Sequence, residues 1–166
     1  MQKNESLVNL LVDSHTAEQL KQQSEDFLSI TLSKRQLCDL EMLINGAMSP
    51  LSGYMDQTTY NSVVHKSRLP DGQLWPMPIV LDIDAATATK ITPGDKVALR
   101  DTEGFMPAVL TVTELWQADK ELEAEAVFGS TSKLHPGVDY LINSCQSHYI
   151  GGQIQGTEEL SHFDFE

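Results

Sequence analysis

The chain is expected to fold as an α+β domain, a small, partly closed β-barrel (a pseudo-barrel) with peripheral helices. Two observations predict this. Roughly five or six short stretches carry strand-like patterns, while helical patterns cluster early and return in one later crossover. The second is size: 166 residues, 40% of them hydrophobic, give one domain ample material for a core.

Residues 1–27 read as an N-terminal helical segment. Leu7, Leu10, Leu11 and Val12 are its apolar positions, and a polar helical stretch runs from about Ala17 to Gln23. A short docking or solvent-facing helix is expected there. Phe27 to Leu32 then forms a short strand or an extended approach to Ser33.

The best-specified stretch follows, SKRQLCDLEMLINGAMSPLSGYM, from Ser33 to Met55. Leu37, Leu40, Leu43 and Ile44 recur at helical spacing and mark one buried face. Ser33 followed by Gln36 fits a capping box, in which a hydroxyl accepts from a free amide and the glutamine reaches back. Asn45-Gly46 offers the left-handed turn that ends a helix. Pro50 has no amide hydrogen and restricts Ser49, so the chain leaves the helix through a compact loop.

Asp56 is a cap for a second helix with Tyr60, Val63 and Val64 inward. Leu69 to Gln73 is a turn, because Pro70 presets its own φ and Asp71-Gly72 tolerates a positive one. A strand is expected from about Met77, with Pro76 and Pro78 placing its start at a sheet edge. Ala85 to Lys90 is a short helical turn. Lys96 to Arg100 and Phe105 to Leu115 form a strand pair through Asp101-Thr102-Glu103-Gly104. Asp119 to Phe128 is an acidic helix with Leu122, Ala126 and Val127 inward, its acids crowded toward the favourable end of the dipole. His135-Pro136-Gly137 is a loop leading to Val138–Ile142, and a last strand runs from Ser147 to Ile154. No internal repeat, low-complexity stretch or flexible linker interrupts the chain.

Eleven basic and twenty-four acidic residues give a formal net charge of −13, and no Lys or Arg follows Lys133. Such a surface repels a phosphate backbone, so nucleic acid is not an expected partner. No apolar run approaches the roughly 18 residues that span a membrane. The start, MQKNESLVNLLVDSH, lacks the pattern of a signal peptide. Cys38 and Cys145 are expected to be free thiols, and a cytoplasmic location follows as the expectation.

The residues offer no catalytic constellation. His15, His65, His135, His148 and His162 are too dispersed for metal-ligand spacing, and neither cysteine has a Cys-x-x-Cys partner. There is no Walker-type phosphate loop and no Gly-x-Ser-x-Gly elbow. Gly151-Gly152 reads as a bulge or a place of close packing, and the acidic helix as a solvated face. Catalytic, cofactor-binding and metal-binding residues are all expected to be absent. Phe163 and Phe165 stand out instead, because two aromatic rings flanked by acids are costly to leave in water. They are candidate interface residues for a following domain or a partner, if they do not pack back on the chain itself.

Several ordered segments resemble ATP sulfurylase (sulfate adenylyltransferase). Arg35–Glu41 and Asn45–Met55 are similar to the start of that family's first domain, with Ala47-Met48 where the family usually has Gly-Phe and Tyr54 where it has Phe. Leu69–Pro78 resembles its turn and Trp-Pro-x-Pro strand entry, and Pro93–Asp101 its Gly-Asp hairpin. Asp119–Glu121, Glu125–Thr131 and His135–Val138 resemble its acidic helix, Phe-Gly-Thr turn and His-Pro-Gly-Val loop, although Ser132 replaces a common Asp. His148–Gly152 and His162–Phe165 resemble the domain's end, without the usual preceding proline.

The resemblance covers about residues 28–166 and implies a PUA-like domain there. In the family this domain precedes a catalytic domain holding a Gln-x-Arg-Asn segment and a His-x-Gly-His segment, and neither pattern occurs here. The resemblance therefore implies a non-catalytic scaffold or interaction module linked to sulfate activation, with no catalytic residue and no cofactor. Its expected partner is an ATP sulfurylase catalytic domain or another copy of itself. The alternative is a stand-alone PUA-like binding module for a small ligand or, against the charge, RNA.

Overall fold

The computed structural model describes residues 7–160. A side chain caps the start of every described helix. Asp13 caps α1 (Ser14–Gln23), Ser33 caps α2 (Lys34–Ile44) and Asp56 caps α3 (Gln57–Lys66). Asp84 caps α4 (Ala85–Ala88), Asp119 caps α5 (Lys120–Phe128) and His135 caps α6 (Pro136–Asn143). The expected capping box is present in full: the Gln36 amide N–H donates to Ser33 Oγ at 3.3 Å, and the Ser33 N–H donates to Gln36 Oε1 at 2.9 Å. Ser33→Ala is expected to cost about 1 kcal/mol, read as a lower urea midpoint at unchanged slope. No loss of stability would refute the cap.

The strands form one six-stranded sheet. β1 (Leu28–Thr31) runs parallel to β4 (Lys96–Arg100), with Ile30 opposite Leu99. β4 pairs antiparallel with β5 (Ala108–Gln117), and β6 (His148–Gly156) is followed in the order by β2 (Gly53–Tyr54). β3 (Leu81–Ile83) pairs antiparallel with β6 off this path. The order β1-β4-β5-β6-β2 has two ends, so the sheet is open rather than closed.

The chain forms two compact units. Among the described residues, the first comprises 7–53, 94–112 and 153–160; the second comprises 54–93 and 113–152. In the first, Leu20 of α1 packs with Ala98, Met106 and Val109, and Val12 and Phe27 lie against that cluster. Backbone bonds hold the segment before α1: Val12 N–H donates to the Gly156 carbonyl, and Gly156 N–H to that of Leu10. Gly156 also lets Ile44 of α2 come close, since a β-carbon there would lie 3.2 Å from the isoleucine. Arg100 ties this unit together with bonds to Ser29 Oγ, Ser24 Oγ and the Gly104 carbonyl.

In the second unit α5 packs on α6 and on α3. Ala124, Val138 and Leu141 form the buried contact, with Phe128 and Ile142 beside it. Gly137 is needed there, because a β-carbon would meet the Phe128 ring at 2.7 Å.

Four features differ from the sequence expectation. The strand expected from Met77 begins only at Leu81. Pro76 and Pro78 lack the amides a ladder needs, and Ile79 instead accepts through its carbonyl from the Met55 N–H. The strand expected from Phe105 begins at Ala108, after Pro107, and Asp101 organises the preceding turn by accepting from the Glu103 and Phe105 N–H groups. Residues from Pro136 form a helix, as a proline in the first turn and the His135 cap favour. Finally, α5 is turned: Leu122 and Ala126 face solvent, while Glu123 and Ala124 are buried.

Candidate functional site

Among the described residues, buried polar side chains meet where α3, α5, β5 and β6 come together in the second unit. Periodicity does not orient α5, because acids and small apolar residues alternate along it. Its tertiary partners do. Tyr60 is carried inward on α3 beside Val63 and Val64, and Tyr149 lies inward on β6. Both hydroxyls donate to the same oxygen of Glu123, each at 2.8 Å. Trp116 from β5 completes the surround, with ring centroids 5.5 Å from Tyr60 and 6.0 Å from Tyr149.

Glu123 is only 6% exposed. Burial pushes its carboxyl above the ordinary 4.5, against the opposing pull of the Tyr60 and Tyr149 hydroxyls and of Lys120. Burial, then the adjacent carboxylate, also pushes both tyrosines upward, so their hydroxyls remain donors. Glu123, Tyr60 and Tyr149 line neither of the two clefts nearby, and the acceptor oxygen is already engaged. This is the chemistry of a structural tie rather than of a general acid or base, which must reach its substrate.

The clefts themselves are open. One, of about 620 Å³, is lined by Gln117, Asp119, Lys120, Glu121 and Ser147 among others. Its single cation, Lys120, donates to the Cys145 carbonyl, and Asp119 is occupied in capping α5. The other, of about 440 Å³, is mostly apolar, with Ile91, Leu115, Trp116 and His148 in its wall. Neither gathers the converging cations that a triphosphate or a sulfate dianion requires.

The individual sequence candidates are scattered. Cys38 is exposed and Cys145 half-buried, and neither forms a disulfide. His135 accepts from Gly137 N–H, His15 bonds Gln19 and His148 bonds Ser147. No three His, Cys, Asp or Glu side chains among the described residues are placed to hold a metal ion. Gly151 is a point of close packing, since a β-carbon would fall 2.4 Å from the Met55 carbonyl oxygen. Phe163 and Phe165, with His162, lie outside the described residues. No described helix is long and apolar enough to cross a membrane. Sequence reasoning missed the Glu123 tie. The available signal was two inward tyrosines needing acceptors, one of them on the helix that packs against α5.

The profile of the PUA-like domain family matches residues 2–159. The chain belongs to the PUA-like domain family. As a PUA-like domain it is 45% identical over 163 residues to the sulfate adenylyltransferase of Mycosarcoma maydis, covering 96% of this chain and 28% of that protein. The sulfate adenylyltransferase of Schizosaccharomyces pombe is 42% identical over 155 residues, covering 92% of this chain and 32% of that protein. A solved structure described as a hexameric APS kinase from Thiobacillus denitrificans superposes with a TM-score of 0.73 at 31% identity, covering 96% of this chain and 27% of that one. The PUA-like chain thus spans about a third or less of these relatives, and what it shares with them is a segment of domain length.

Proposed function

We propose that this PUA-like domain is a non-catalytic scaffold or interaction module of sulfate activation, working with an ATP sulfurylase catalytic domain or with another copy of itself. The observation that carries this is the PUA-like profile over residues 2–159 together with the match to sulfate adenylyltransferases along 96% of the chain. The clefts support it, because between them they present one lysine, already bonded to a carbonyl. The hexameric assembly named for the Thiobacillus denitrificans structure is compatible with self-association as one route to a partner. Phe163 and Phe165 are the residues proposed to contribute to that interface, and the pseudo-barrel expected from element order goes with the same reading.

Two measurements test it. The purified chain is expected to form no adenylyl sulfate from ATP and sulfate; sustained turnover would overturn the non-catalytic assignment. Sedimentation of the chain alone and mixed with a sulfate adenylyltransferase catalytic domain is expected to show a complex in at least one case. A monomer under both conditions would overturn the interaction role.

A further inference from the structure

We propose that the cleft of about 440 Å³ in the second unit binds a small, flat, uncharged heteroaromatic molecule, one that presents a lone pair to the indole N–H of Trp116. Such a site is independent of the scaffold role. The cleft is built from α4 and the residues after it, the end of β5 and the first residue of β6, all within one compact unit. Its volume falls in the range of roughly 300–1,000 Å³ usual for small-molecule sites.

Charge decides what can enter. The chain carries a formal net charge of −13, yet the described residues lining this cleft include no Asp, Glu, Lys or Arg. A phosphate, sulfate or carboxylate would find no cation to pair with, and an ammonium no carboxylate. A charged ligand would therefore lose hydration without compensation. Ala85, Ala88, Ile91, Pro93 and Leu115 offer an apolar seat instead, and the Trp116 indole an aromatic one.

One donor in the wall is unmet. Thr89 Oγ1 donates to the Ala86 carbonyl at 2.8 Å, the His148 ring is bonded to Ser147 Oγ at 2.9 Å, and Gln117 is exposed to water. Trp116 is only 8% exposed, and its Nε1–H has no hydrogen-bond partner. The two tyrosine hydroxyls beside its ring are spent on Glu123. A buried N–H left in this state is destabilising, and proteins seldom keep one without a reason. An acceptor on a ligand supplies the missing bond. Because Nε1 is itself closed to solvent, the occupant has to draw the indole slightly toward the cleft, which makes the indole N–H the direct reporter of binding.

The test uses the full chain and quinoline, a neutral bicycle with one acceptor nitrogen. Indole, of similar size but with a donor N–H in place of the acceptor, is the control. The Trp116 signal is told from that of Trp75 by NMR of Trp75→Phe. Quinoline is expected to move the Trp116 indole N–H resonance downfield and saturably, in the millimolar range. Indole is expected to bind at least about tenfold more weakly, since it leaves the Trp116 donor unmet. Ala85→Phe, at an exposed position of the wall, is expected to weaken quinoline binding by a similar factor by filling the cleft. A Trp116 signal that fails to move or to saturate, indole binding as tightly as quinoline, or unchanged binding in Ala85→Phe would each overturn the site.

Discussion

Gly151→Ala is expected to destabilise the chain by about 3 kcal/mol or more, the upper end of what overpacking costs. The added carbon would lie 2.4 Å from the Met55 carbonyl oxygen and 2.8 Å from the Asp56 α-carbon. Both obstacles are backbone, so no rotamer change relieves them. For a domain of this size the corresponding fall in Tm is roughly 6–12 °C. Gly72→Ala is the useful comparison. A β-carbon there meets nothing within 4 Å, but φ is +95°, so the cost is conformational alone and about 1 kcal/mol. If the two variants lose equal stability, close approach at Gly151 is not what requires glycine there.

Tyr149→Ala is expected to cost about 3–5 kcal/mol, the range for deleting a buried aromatic ring. Tyr149 is 1% exposed and packs edge-on against both Tyr60 and Trp116. Tyr149→Phe separates the ring from the hydroxyl. It keeps the packing but leaves Glu123 with Tyr60 as its remaining tyrosine donor, and is expected to cost about 1–3 kcal/mol. Urea unfolding followed by Trp fluorescence measures both. A Phe variant as unstable as the Ala variant would mean that the hydroxyl, not the ring, carries the whole effect. A Phe variant as stable as the wild type would remove Tyr149 from the tie.

Much of this fold was legible because the relevant interactions are local. Ser33 with Gln36, and Asp56 before its helix, declare themselves within one helical turn, and the structure has both. The Lys96–Arg100 strand pairs as its turn residues suggest, although Val97, Ala98 and Leu99 are all buried rather than alternating with exposed residues. Where prolines intervene, apolar composition overstated the strands: Met77 to Val80 has the side chains of a strand, but Pro76 and Pro78 cannot supply its ladder. The orientation of α5 was not legible at all. Leu122 outranks Glu123 on any hydropathy scale, yet Leu122 is 43% exposed. What reverses them is a pair of hydroxyl donors on α3 and β6, brought in by tertiary structure. The candidate interface was legible only as a cost, two phenylalanines among acids, with no local pattern to say what covers them.

The division of the chain into two units falls within β2, β5 and β6 and between Pro93 and Gly94, and each unit is assembled from segments that are discontinuous in sequence. No single cleavage can therefore release either one as an intact peptide. A nick in an exposed turn such as that at Gly72 would leave both pieces of the second unit needing each other. Complementation of separately expressed fragments, rather than truncation, is the practical way to dissect this molecule.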